Sequence, residues 1–261
     1  MRPAVIAALL LCACDPVFTG ETSAFLLESK SVGDTFLISV HTPAGYAGSS
    51  GRYPVAYVLD GTVHSGPAAA IAEDEGLEVV VVGIGYEDGV SSPRRRRDYT
   101  PTRDPDFPTS GGAGAFMRFV RDELVPRIDG DLRTRPGERA LLGHSLGGIA
   151  ALHFAFNQDP AAPLFPTIVS ASPSLWWDDG VFFDYEAELA TRTSDLDLRL
   201  MALAGGLEYA LINALLRELI RRLSSRGYAG LELEHRELDD EIHTTAWRPA
   251  YREGLRFAFG R

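Results

Sequence analysis

The sequence predicts one large α/β domain built on a mostly parallel sheet with helices on both faces. Three observations predict it. Short apolar runs alternate with apolar stripes at helical spacing, the pattern of successive strand–helix units. Residues 77–84 are apolar apart from Glu78 and Gly83, as expected of a strand covered on both faces. Gly143-His144-Ser145-Leu146-Gly147 lies between an apolar run and a helical stripe, which marks a sharp strand-to-helix turn. The chain has 261 residues, 45% of them hydrophobic, enough for a single full core.

The elements follow in order. Residues 35–40 alternate and read as an early strand, and residues 53–60 as a second, ending in Asp60-Gly61. A helix is expected over 68–75, then the strand within 77–84. Residues 87–112 are rich in Arg, Pro, Asp and Gly and read as a long polar loop. Phe116, Phe119, Val120 and Leu124 mark a helix. Residues 139–142 form the strand before the turn. Ile149, Leu152, His153 and Phe156 fall on one face of the helix after it. Strands follow at 167–172 and 198–204. Ile212, Leu215, Leu216, Leu219, Ile220 and Leu223 give a helical stripe. A last strand at 231–238 and a last helix at 247–259 close the domain.

Composition excludes several classes. A net charge of −11 argues against nucleic acid as a partner. No interior stretch reaches the roughly 18–20 apolar residues needed to span a bilayer. No spaced His, Cys and Asp cluster suggests a metal, and nothing calls for a cofactor. The N-terminus differs from the rest. Met1-Arg2 precedes about ten apolar residues, as in an export signal. Leu11-Cys12-Ala13-Cys14 has the form of a bacterial lipobox, with Cys14 as the lipidated residue. The chain has only these two cysteines, so a chain starting at Cys14 keeps one thiol for a lipid and no pair for a disulfide. The expected division is a signal at 1–13, a tether at 14–29 and the catalytic-type domain at 30–261. Plain secretion and a retained apolar N-terminus are the alternatives. The leading expectation is an exported, lipid-anchored envelope protein whose only membrane contact is that anchor.

Ser145 is the candidate nucleophile. The glycines two residues either side relieve backbone crowding that would follow from lifting a serine hydroxyl above a sheet. A serine hydroxyl needs a base within hydrogen-bond reach, and the base needs an orienting acid. On the α/β-hydrolase fold the acid and then the histidine follow the serine. Of the three histidines after Ser145, His153 lies along the helix and His235 inside a strand. His243 falls in a loop before the last helix, where the base belongs. Glu208 follows the 198–204 strand and is the leading acid. Asp178 and Asp179, one strand earlier, are its rivals, and a site without an essential acid is the third option. The oxyanion donors are expected to be the backbone N–H groups of Leu146 and Thr62.

Tyr53-Pro54-Val55 through Leu59-Asp60-Gly61, Asp98-Tyr99-Thr100-Pro101, Gly143 to Gly148, Ser172-Pro173-Ser174-Leu175-Trp176-Trp177 and the His243 loop together resemble the putative-esterase family of α/β-hydrolases. Siderophore esterases, esterase D and mycolyltransferases are similar to that family. The resemblance covers roughly residues 30–260 and is nearest to the siderophore type. It implies an α/β-hydrolase fold, Ser145 as nucleophile, His243 as base, Glu208 as acid and a small-molecule ester as substrate.

Two further features stand out. Arg94 to Arg97 are four consecutive cations on an acidic chain. They read either as anion capture at the mouth of the site, with Arg97 binding substrate, or as a solvated loop paired with Asp98, Asp104 and Asp106. Trp176 and Trp177 read as a substrate subsite, or as one core and one pocket residue. The leading function is ester hydrolysis through an acyl-enzyme. An acyltransferase with the same residues and a non-catalytic envelope binding protein are the alternatives.

Overall fold

The computed structural model describes residues 16–89 and 93–260. The expected signal at 1–13 and Cys14 lie outside the described residues. Eight strands form one sheet: β1 (Glu21–Ser29), β2 (Asp34–Thr42), β3 (Tyr53–Leu59), β4 (Val80–Gly85), β5 (Thr134–His144), β6 (Thr167–Ala171), β7 (Asp195–Gly205) and β8 (Ala229–Leu238). Their order is β1-β2-β4-β3-β5-β6-β7-β8. β2 runs antiparallel to β1 and β4, and every pairing from β4 to β8 is parallel.

Strand periodicity divides the core in two. On β3, Val55, Tyr57 and Leu59 pack on one face while Ala56 and Val58 pack on the other, because alternate side chains leave a strand on opposite sides. The first face is covered by α3 (Ala113–Phe119), α5 (Leu146–Asn157), α6 (Phe182–Arg192) and α7 (Ala210–Arg226). The second is covered by α1 (Gly61–Asp74) and α8 (Trp247–Phe259). The neighbouring strands β3 and β5 therefore send their following helices to opposite faces. The gap between their carboxyl ends is the switch point at which α/β sheets bind ligands.

Four local readings are corrected. Residues 21–29, expected within a tether, form the edge strand β1. Only Phe25 and Leu27 of that strand pack on the core, and Leu26 is exposed, so its alternation is faint in sequence. α1 begins at Gly61, seven residues before the expected start, because Gly61 and Gly66-Pro67 read as breakers yet are absorbed within the helix. The 87–112 loop contains the short helix α2 (Pro93–Tyr99). The helix around Phe116 runs on from α3 through a π turn at Val120–Leu124 into α4 (Val125–Asp131).

Candidate active site

Ser145 ends β5 and begins α5 at φ 61° and ψ −119°, a region that resists any residue with a Cβ. Three backbone bonds hold it there. Its N–H donates to the Ala171 carbonyl at 2.9 Å, and its own carbonyl accepts from Ile149 and Ser174, each at 3.2 Å. A side chain at Gly143 would overlap the Gly147 carbonyl. That contact is the physical content of the glycine spacing around the serine.

Ser145 Oγ lies 3.0 Å from His243 Nε2. His243 Nδ1 lies 2.8 Å from Glu208 Oε2. The other Glu208 oxygen accepts from the Gly205 N–H at 2.7 Å and from the Ser172 hydroxyl. Burial alone raises the pKa of Glu208, but the bonds from His243, Ser172 and Gly205 outweigh it, and the carboxyl is held below its ordinary range. An ionised carboxylate only accepts, so Nδ1 of His243 carries the proton and Nε2 is left to accept from Ser145. A hydroxyl, an imidazole and a carboxylate thus stand in the order that general-base activation of a serine requires. The alternative acids do not join this chain: Asp178 and Asp179 are exposed in a 3-10 turn. His153 packs edge-on against Tyr185 and bonds Asn157. His235 stays within β8.

Two residues flank the chain without having been singled out from sequence. His144 Nε2 donates to the His243 carbonyl at 2.8 Å, and the two rings stand 4.8 Å apart. Burial, with His243 and His64 nearby, pulls the His144 pKa down to about 3, so the ring is neutral. Ser174 Oγ is 3.4 Å from Ser145 Oγ. Ser172 and Ser174 both belong to the Ser-Pro-Ser segment, which was the available signal. Leu146 is the first residue of α5 and Thr62 the second of α1. Neither backbone N–H has a protein acceptor among the described residues. Thr62 Oγ1 donates to the Tyr86 carbonyl at 3.0 Å.

The arginine run is mostly structural. Arg95 makes a fork to Asp60 at 2.6 and 2.8 Å and reaches the His144 carbonyl at 3.3 Å. Arg97 bonds Asp98 at 2.7 and 3.0 Å and Asp34 at 2.8 Å. Its guanidinium is thus engaged by two carboxylates, the paired arrangement that was the alternative to anion capture. Arg94 pairs with Asp34 and Asp88, and Arg96 stacks on Phe107. Of the expected partners only Asp98 takes part. Of the tryptophans, Trp177 is core, 1% exposed, with its Nε1–H donating to Thr102 at 3.2 Å. Its expected contact with substrate is therefore corrected. Trp176 is 45% exposed and remains available.

The sheet order and the strained serine turn at its switch point define an α/β-hydrolase. The family model described as "Putative esterase" matches residues 29–202, and the chain belongs to that family of carboxylic ester hydrolases. It is similar to the ferri-bacillibactin esterase BesA of Bacillus subtilis (strain 168), 29% identical over 91% of this chain and 89% of that one. Among solved structures it is similar to the BES protein from Bacillus cereus, with a TM-score of 0.81 and 28% identity over 93% of this chain and 97% of that one. It is also similar to the siderophore hydrolase EstA from Aspergillus nidulans, with a TM-score of 0.79 and 25% identity over 98% of both chains.

Proposed function

We propose that this protein hydrolyses esters of iron-chelating siderophores through an acyl-enzyme on Ser145. The observation that carries the reading is the unbroken hydrogen-bonded line from Ser145 through His243 to Glu208. His243 Nε2 takes the serine proton as Oγ attacks the ester carbonyl, and Glu208 stabilises the imidazolium that forms. The N–H groups of Leu146 and Thr62 receive the oxyanion. His243 then returns the proton to the departing alcohol. Water, activated by the same imidazole, breaks the Ser145 ester and frees the acid. The substrate class is supported by the siderophore esterases and hydrolases among the relatives. Ser145→Ala tests the mechanism. It is expected to remove hydrolysis of p-nitrophenyl acetate and of a siderophore ester with the fold intact, a loss on the order of a millionfold in turnover. Unchanged activity in the folded variant would overturn the reading.

The chain is further proposed to be exported and anchored by a lipid on Cys14. The support is the lipobox-like Leu11-Cys12-Ala13-Cys14. An intact mass after native expression should show a chain starting at a lipid-bearing Cys14. An unmodified thiol there would refute the anchor.

A further inference from the structure

We propose, on the reading of His243 as the base, that His144 is its positioning residue and sets the distance from which Nε2 reaches Ser145. The loop after β8 carries His243, and its bonds fall into two groups. Towards the acid, the Gly206 N–H donates to the Leu238 carbonyl at 2.8 Å and the Leu207 N–H to the Glu241 carbonyl at 3.0 Å. Gly206 and Leu207 belong to the turn that carries Glu208, so base and acid are mounted on one unit. Towards the nucleophile runs the Ser145–His243 bond itself, at 3.0 Å, which is broken and remade in every turnover. Beside it, His144 Nε2 meets the His243 carbonyl at 2.8 Å. A carbonyl only accepts, so Nε2 carries the proton and donates. No backbone N–H among the described residues donates to that carbonyl. His144 is therefore the strut between β5 and the unit that holds the base.

The strut is itself held still. His144 is the last residue of β5, directly before Ser145, so nucleophile and strut share one stretch of backbone. Its own carbonyl accepts from Arg95 at 3.3 Å. The residue is buried, and its ring packs against His243 at 4.8 Å and edge-on against His64 at 6.1 Å. His64 in turn stacks on Trp247, the first residue of α8, at 4.4 Å. Side chains locked by packing are what hold a reacting constellation within about 0.5 Å of its working geometry. A misplacement of about 1 Å can cost roughly a hundredfold in rate. Glu208 does not supply this placement, because it rides on the same unit as His243. Glu208 turns the imidazole to the right angle, and His144 fixes how far that imidazole stands from Ser145 Oγ.

Substitutions at His144 in the full chain test this. His144→Leu keeps the bulk and loses the donor. His144→Asn keeps a neutral amide that stops short of the carbonyl, and takes the place of His144→Leu if that variant does not fold. His144→Gln reaches about as far as Nε2 and restores the N–H. On p-nitrophenyl acetate, turnover should fall roughly thirtyfold or more in His144→Leu and His144→Asn with KM within about twofold of the parent, while His144→Gln stays within about threefold in turnover. The decisive measurement repeats His144→Leu in a His243→Ala chain. With no base left to place, the residual rate should change by less than about twofold, because groups that act as a unit are not additive. A further loss there as large as in the parent would mean that His144 shapes the serine turn or the oxyanion donors, and would overturn the proposal. So would full turnover in His144→Leu, or a His144→Gln no better than His144→Leu. A His243→Ala chain with full turnover would overturn the reading of the base, and this proposal with it.

Discussion

Glu208 uses its two carboxylate oxygens for different purposes. Oε2 faces His243 at 2.8 Å, while Oε1 is fixed by the Gly205 N–H at 2.7 Å and by the Ser172 hydroxyl. A carboxylate secured on one side can accept from an imidazole on the other without rotating. This predicts that Glu208→Gln lowers turnover by roughly a hundredfold or more with little change in KM, because the imidazolium it stabilises forms only in the transition state. Asp178→Asn and Asp179→Asn should leave turnover close to that of the parent. Steady-state kinetics on p-nitrophenyl acetate checks both, and equal losses in all three variants would contradict the assignment.

The two adjacent tryptophans should separate cleanly. Trp177→Ala empties a fully buried site and is expected to cost about 3–5 kcal/mol of stability. Trp176→Ala removes a half-exposed ring and should cost less than about 1 kcal/mol while raising KM for aromatic esters. Denaturant midpoints and KM values, measured on the same two proteins, provide the check.

Acid should weaken the fold through His144. Its folded pKa of about 3 lies below the ordinary histidine value of 6.5 because the ring is buried next to His243 and His64. Between these two values the unfolded chain binds a proton that the native state does not. Stability from this group is therefore complete above about pH 6.5 and declines as pH falls towards 3. The slope is at most about 1.4 kcal/mol per pH unit. His144→Gln keeps a neutral donor for the His243 carbonyl and removes the titration. Urea midpoints at pH 7 and pH 5 should differ less in this variant than in the parent.

The sequence made the line of Ser145, His243 and Glu208 legible for a physical reason. Ser145 is announced by glycines that answer to local crowding, Glu208 follows the apolar run of β7, and His243 follows β8, where Leu231 and Leu233 alternate with Glu232 and Glu234. The arginine helix was not legible. Arg94, Arg95 and Arg97 find carboxylates at Asp34 and Asp60, 35 to 63 residues away, and no local pattern encodes such pairings. β1 was missed because an edge strand covers one face only in part. The tryptophan pair was ambiguous because burial of one or the other depends on how the Ser-Pro-Ser segment turns. His144 lay in full view inside the elbow, but its ring is defined by a contact 99 residues downstream.

The backbone angles of Ser145 set activity against robustness. A residue with a side chain is held at φ 61° and ψ −119°, at a cost of about 1–3 kcal/mol. Glycine would sit there with much less strain, offset in part by its greater freedom when unfolded. A lineage that lost this hydroxyl to glycine could thus gain a sturdier protein at the moment it lost the proposed nucleophile. Folding quality control would pass such a chain, and only the cell's need for the reaction would remove it.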